Sequence, residues 1–303
     1  MKLKFAGFLT VLGLLACANS AKTEETTFHF MMIREVFGGT TAAPDAQYVM
    51  LQMYFAGQNL VDGHDIIVYD SAGNQIKSFT FAGSVANGNN QAVILIATAA
   101  ASSFFGVTAN LVMDTAAISP RGGKVCFDAI DCVAWGNYIG SSVGVGTPFN
   151  KCEGLEAGKA ARRIIVGLLD PSDDTNNSEN DFTLATPAPR NNANQSGTIP
   201  PSTCSNGVVE GLEQCDDNNG DDGDGCSSSC EIEPPFCANI KGDLNGSTDL
   251  TPADVVLMLI CVFTDPTGCG LCYTDVNSDG NLTPSDVVLE LSAVFNGAPF
   301  PPC

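Results

Sequence analysis

The chain has 303 residues, 16% of them charged, with a formal net charge of −21 at pH 7 and 13 cysteines. That balance excludes nucleic acid as a partner, because a phosphate backbone needs clustered Lys and Arg. The acidity is uneven: residues 203–303 hold 17 of the 34 acids but one of the 13 basic residues, Lys241. Such a stretch repels itself when bare, so divalent cations should stabilise it by linkage; a merely solubilising acidic surface is the alternative reading.

The chain opens with Met1-Lys2-Leu3-Lys4 and an apolar run from Phe5 to Ala16. The run is too short to span a bilayer and suits a secretory signal over residues 1–21. The expected location is therefore secreted or on a bacterial cell surface. Leu14-Leu15-Ala16-Cys17 resembles a bacterial lipobox, and a lipid anchor at Cys17 is the one membrane connection expected; Ala16-Cys17-Ala18 and Ala18-Asn19-Ser20 offer ordinary cuts instead. In an oxidising compartment the twelve remaining cysteines should pair, and they divide by region as three, four and five. Either one bridge joins regions, or Cys152 and Cys261 stay free. Cys126 and Cys132 suit a strand-turn-strand closure, and Cys237 with Cys269 and Cys272 with Cys303 would clasp the last region.

Residues 22–195 carry strand and turn signals. Phe28, Phe30 and Met32 alternate, Tyr48 to Phe55 is a second run, and Ile66 to Tyr69 leads through Ser71-Ala-Gly-Asn74 into Ile76 to Phe81. Further runs lie at Ala92–Ala97, Lys124–Phe127, Cys132–Trp135 and Ile164–Leu169. Many short strands with Gly, Asn and Asp punctuation predict an antiparallel β-sandwich with its own core. Ile33-Arg-Glu-Val36, Tyr48-Val-Met-Leu51, Gly122-Gly-Lys-Val-Cys-Phe127, Val133-Ala-Trp-Gly136 and Asp181-Phe-Thr-Leu-Ala-Thr-Pro-Ala-Pro-Arg190 together resemble the lamin-tail domain, an immunoglobulin-like sandwich. Met50 and Gln52 depart from the acidic residue and asparagine that members often carry. The resemblance implies an interaction or adhesion module without naming a ligand.

One formal catalytic pattern is present, Gly140-Ser-Ser-Val-Gly144, but a nucleophile elbow needs a strand, a sharp turn, a helix and a downstream histidine. His29 and His64 are the two histidines of the chain, and both precede it. A Gly/Ser loop is the better reading, and no enzyme is expected.

Gln195-Ser-Gly-Thr-Ile-Pro-Pro-Ser-Thr203 reads as a linker, assigned to residues 196–203. Over residues 204–233 four cysteines, Cys204, Cys215, Cys226 and Cys230, stand in a segment too short for a hydrophobic core, so two disulfides should replace one. The wording is similar to the Myxococcus-type cysteine-rich repeat of bacterial surface proteins. The Asp216–Asp224 run reads as a solvated turn, or less readily as a further calcium site.

The last region, 236–303, contains a duplication. Asp243-Leu-Asn-Gly-Ser-Thr-Asp-Leu-Thr-Pro-Ala-Asp254 returns 32 residues later as Asp275-Val-Asn-Ser-Asp-Gly-Asn-Leu-Thr-Pro-Ser-Asp286, and apolar runs follow both. Oxygen side chains at positions 1, 3, 5 and 12 suit Ca²⁺, a hard cation that takes six to eight oxygens. Thr251 and Thr283 read as N-caps with Pro252 and Pro284 behind them, so Asp254 and Asp286 serve both the helix start and the ion. The repeat resembles the dockerin type I module. The resemblance assigns Asp243, Asn245, Ser247 and Asp254 to one ion and Asp275, Asn277, Asp279 and Asp286 to a second, with backbone carbonyls from Asp249 and Asn281. Ser247 and Thr248 depart from the acid and glycine of positions 5 and 6; Asp249 can compensate in charge but not in turn geometry, so the second site should be the tighter.

The expected architecture is therefore multidomain: an all-β immunoglobulin-like sandwich, a small disulfide-rich repeat and an all-α paired calcium loop-helix module. The expected function is calcium-stabilised, non-enzymatic protein interaction or adhesion, with a cohesin-like protein or a surface glycan as partner. The alternative is an accessory subunit of a polysaccharide-degrading complex. Met258 and Ile260 would form a docking patch if exposed together, because their counterparts are Glu290 and Ser292. In calcium calorimetry, loss of Asp279 should weaken binding more than loss of Ser247; the reverse order would overturn the ranking of the two sites.

Overall fold

The computed structural model describes residues 30–301 except 152, 223–224, 234–240, 246, 248, 265–273 and 278–280. The leader and Cys17 lie outside the described residues, as do the pairings Cys237–Cys269 and Cys272–Cys303. The described strands are β1 Met31–Phe37, β2 Tyr48–Met53, β3 Asp65–Tyr69, β4 Gln75–Thr80, β5 Val93–Thr98, β6 Leu111–Met113, β7 Gly122–Phe127, β8 Asp131–Gly136, β9 Ala160–Arg163 and β10 Phe182–Ala185. The described helices are α1 Ala99–Phe105, α2 Ser178–Asp181, α3 Pro252–Phe263 and α4 Pro284–Asn296.

Strands β10-β9-β1-β2-β5-β6 form one sheet and β4-β3-β7-β8 the other. Between them lie Ile33, Val36, Leu51, Ile94 and Ile96 from the first and Ile66, Val68, Val125, Phe127 and Trp135 from the second. The first sheet is buried on its outer face too, where Phe37, Tyr48, Met50, Val93 and Leu95 meet Ala101 and Phe105 of α1. This double burial explains why β5 reads Val-Ile-Leu-Ile-Ala-Thr, a continuous apolar run. Thr98 ends that strand and caps α1, accepting from the Ala101 amide, and the chain returns as β6 parallel to β5. A parallel neighbour requires such a crossover.

These observations correct the expected architecture. Two sheets facing one core match the sandwich in part, but the parallel β5–β6 pair and the covering helix depart from an all-antiparallel immunoglobulin-like arrangement. The all-α dockerin-like module is not what the described residues form: among them the regular structure is mostly β, with four α-helices of 4 to 13 residues. The described residues of the first loop form side-chain-to-backbone turns, and Pro252–Phe263 and Pro284–Asn296 are the two long helices described there. Cys126 and Cys132 are bonded across the β7–β8 hairpin, and Cys204–Cys230 and Cys215–Cys226 staple the cysteine-rich repeat. Cys261 is disulfide-bonded, which overturns its reading as a free buried thiol.

That repeat rests on the sandwich. Leu212 packs against the outer cluster, the Thr41 hydroxyl donates to the Gln214 carbonyl at 3.0 Å, and Lys159 pairs with Glu231 at 3.0 Å. The Asn-rich stretch before it is equally fixed: Asn192 is buried, accepts from the Asn87 amide at 2.7 Å and donates to the Val93 carbonyl at 3.0 Å.

The late strand expected at Ile164–Leu169 is displaced. The strand is Ala160–Arg163, and Ile164, Val166 and Leu168 are exposed. Burial of Arg163 decides this. Its guanidinium donates to Asp131 at 2.7 Å, to the Ile33 carbonyl at 2.9 Å and to the Asp173 carbonyl at 3.1 Å, and it lies 3.8 Å from Asp181 over the ring of Phe182. Burial pushes Asp131 up to about 6, with Arg163 pulling it down. Replacing Arg163 by Met leaves Asp131 and Asp181 buried without the guanidinium, and should cost about 3–5 kcal/mol near neutral pH. Without Arg163 the Asp131 carboxyl rises further, so the native state holds a proton that the unfolded state has lost. Stability present at low pH is then lost as pH rises, and the deficit should be larger near pH 8 than near pH 5. Urea unfolding at both pH values checks this; equal deficits would contradict it.

Candidate cation site

Both repeats build their loop-to-helix joint in one way. Proline at the first helical position supplies the required φ, and the Asp two residues on turns back to the capping threonine. In the first repeat Asp254 Oδ2 accepts from the Thr251 amide at 2.8 Å and from its hydroxyl at 2.7 Å. In the second, Asp286 Oδ2 accepts from the Thr283 amide at 2.8 Å and its hydroxyl at 3.2 Å. Asp254 and Asp286 are fully buried.

The first loop closes on that joint. Asp254 Oδ1 accepts from the Asn245 amide at 3.0 Å, and the Ser247 amide donates to Asp243 Oδ1 at 3.0 Å and to Asn245 Oδ1 at 2.8 Å. The Ser247 hydroxyl donates to the Asp249 carbonyl at 3.0 Å. Positions 1, 3, 5, 7 and 12 are thus brought together, with Asp243 buried while Asn245, Ser247 and the Asp249 side chain reach solvent. In the second loop Asp275 is buried, the Asn277 amide faces Asp286 Oδ1 at 3.4 Å, and Asn281 is exposed. Asp279 lies outside the described residues, as does Thr248.

Sequence reasoning did not include Glu290 in this group. It was visible only as a break in an apolar helix. In the structure its carboxylate is fully buried, and neither oxygen has a hydrogen-bond partner. Burial first, then the carboxylates of Asp254 and Asp243, push Glu290 up to about 7. Carboxylates, an amide, a hydroxyl and a carbonyl are the donors a hard cation takes, and a buried carboxylate lacking a donor is a place where positive charge is wanted. On that ground the donors of the first loop suit a hard cation, and the described residues of the second loop reproduce part of that set. Asp243, Asn245, Ser247, the Asp249 carbonyl and Asp254 would hold one ion, and Asp275, Asn277, Asp279, the Asn281 carbonyl and Asp286 the other.

Other acidic groupings fit less well. Glu213, Asp216 and Cys230 approach one another, but Cys230 is bonded to Cys204 and offers no thiolate. Asp216 already accepts from the Gly207 amide at 2.8 Å and the Asn218 amide at 2.9 Å. His64 faces Asp128 at 2.6 Å, and Gly140–Gly144 runs through a turn after β8 rather than into a helix.

The docking pair is divided. Met258 is buried with Val276 and Val287, whereas Ile260 is exposed. The outward face of α3 is instead Val256, Leu259, Ile260 and Phe263, and α4 presents Val288, Leu291 and Phe295 at the matching positions. Among the described residues no helix is long and apolar enough to cross a membrane. No protein-family model matches the chain, nor does any curated protein or solved structure.

The joint separates capping from metal binding experimentally. Asp286→Ala removes a cap contact and should lower unfolding stability by about 1 kcal/mol in chelator. In saturating calcium the deficit should grow, because the mutant also loses the linkage from a bound ion. Urea unfolding with and without calcium measures both; an unchanged deficit would leave Asp286 a cap alone.

Proposed function

We propose that this chain is an exported, non-enzymatic calcium-binding protein, secreted or held at a bacterial cell surface, that binds a protein partner through its duplicated loop-helix region. The observation that carries the reading is the outward apolar face repeated on α3 and α4. Val256, Leu259 and Phe263 recur as Val288, Leu291 and Phe295, and the two phenylalanines are 64% and 63% exposed. Positions i, i+3 and i+7 lie on one helical face, while Val255 and Met258, like Val287, point inward. Helix α3 is therefore apolar on both faces, and one of them lacks cover among the described residues. Exposed apolar side chains aligned on one helical face of an otherwise strongly acidic chain mark a candidate interaction surface.

Calcium's role in this reading is to fix the two helix starts. Each loop ends in the Asp that caps its helix, so an ion held by the loop sets where the helix begins and how its outward face is presented. The β-rich N-terminal region, whose sequence resembles the lamin-tail domain, serves as a second interaction module in the same protein. The acidic, lysine-poor surface favours partners other than nucleic acid.

The test is capture from surface and culture fractions by the full chain, run with calcium and with chelator, alongside a Phe263→Ser/Phe295→Ser variant. Both phenylalanines are exposed, so the variant should fold as the parent does. Anchor residues of this kind contribute about 2 kcal/mol or more, so the variant should lose roughly thirtyfold or more in affinity for the calcium-dependent partner. Undiminished capture by the variant would move the interface elsewhere; concentration-dependent self-association lost in the variant would make the partner a second copy.

A further inference from the structure

Glu290 is the one buried carboxylate of the described C-terminal region for which the protein supplies no hydrogen-bond donor. It belongs to the second repeat yet faces the first. Gly242, the residue before Asp243, has φ +89°, and a Cβ there would come within 2.2 Å of Glu290 Oε2. Glycine suits the positive φ, and a Cβ here would force the Glu290 carboxylate to shift. Asp243 and Asp254 differ from Glu290 in having local amide donors, from Ser247 and from Asn245 and Thr251 respectively. A fully buried, unpartnered carboxylate beside two further buried carboxylates is unfavourable unless a cation joins them.

The duplication shows that this arrangement belongs to one site only. The counterparts of Gly242 and Glu290, 32 residues away, are Thr274 and Met258. The second loop therefore has no matching acid from the opposite helix. It is also the loop that carries an acid at position 5, Asp279, where the first has Ser247. Counting positions 1, 5 and 12, the second loop offers Asp275, Asp279 and Asp286, and the first only Asp243 and Asp254. Asp249 at position 7 gives the first loop a third acid, but its side chain is exposed, and Glu290 adds a buried carboxylate where position 5 has none.

We propose that Glu290 is a cross-repeat carboxylate of the first calcium site, replacing the charge that Ser247 omits. The proposal rests on the calcium reading of the loops. It makes the two repeats interdependent, because an ion in the first loop draws on helix α4 of the second and so holds the two helices together. The chemical demand is for a divalent cation with oxygen preference, and calcium alone is the probe.

Calcium calorimetry on the full chain tests it, with Glu290→Gln, Glu290→Met and each of these in an Asp279→Asn background that weakens the second loop. The methionine variant carries the residue the first repeat uses at this place, which keeps the test open should glutamine fold poorly. Removing one ligand-region charge should weaken one of two sites by about tenfold or more and leave the other unchanged, and the weakened site should be the one that survives Asp279→Asn. Glu290→Met should also raise the stability of the calcium-free chain, since an unpartnered buried charge is gone. If the parent takes up two ions and both variants keep both affinities, the role of Glu290 is overturned while the calcium reading stands. If the parent takes up none, the calcium reading itself fails and this inference with it.

Discussion

The fold of the β-rich region depends on one buried cation. Arg163 ends β9 with its side chain inside the protein, where an ionised group is stable only if its donors are all taken and its charge is matched. The required acceptors come from four separate stretches: Asp131 at the start of β8, the Ile33 carbonyl of β1, the Asp173 carbonyl, and the carboxylates of Asp174 and Asp181. Each must reach one point, so the guanidinium fixes where β1 passes, where β8 begins and where the α2 turn lies. The Cys126–Cys132 bridge closes the hairpin immediately beside Asp131, which holds the principal counter-charge in place. Beside it runs a second buried acid, Glu35, which accepts from Arg162 at 2.6 Å, from the Ala188 amide at 2.9 Å and from the Tyr48 hydroxyl.

The C-terminal region buries carboxylates under the opposite condition. Asp243, Asp254, Asp275, Asp286 and Glu290 are all buried, in a stretch whose one basic residue is Lys241. Backbone amides and threonine hydroxyls satisfy Asp254 and Asp286 as hydrogen-bond acceptors, but neutral donors leave the net charge in place. The sandwich solves the problem of buried acid with arginine taken from its own sequence. The stretch has no arginine, and in the calcium reading proposed above a divalent ion from solution would take that part.

What was legible in the sequence divides along the same physical line. Alternating or continuous apolar runs gave β2, β3, β4, β5, β7 and β8 close to their places, because hydrophobic burial writes directly into residue type. Strand β9 was misplaced for the reason that makes it important: its Arg162 and Arg163 look like surface residues, and the run Ile164–Leu169 that follows looks like core although Ile164, Val166 and Leu168 are exposed. Helix α1 and the short parallel β6 were missed because Ala-Ala-Ala-Ser-Ser-Phe-Phe carries no strong period of its own and takes its form from the sheet face it covers. In the repeats the 12-residue spacing exposed the ligand-bearing positions, while Glu290 stayed hidden, since its significance lies in which loop it faces and not in its neighbours along the chain.

The asymmetry between the repeats then follows from a single exchange. A duplicated pair begins with equivalent residues at equivalent places, and each loop meets the helix of the other. Gly242 and Glu290 approach each other where the equivalent sequence positions carry Thr274 and Met258, and the side-chain volume missing at position 242 is the space the carboxylate occupies. The two changes are therefore coupled: glutamate opposite a Cβ-bearing residue would clash, and glycine opposite methionine would leave a void. If the first loop takes an ion as proposed, serine at its position 5 would be tolerable because the opposite helix supplies a carboxylate, and the relative strength of the two sites would depend on residue 290 as much as on the loops themselves.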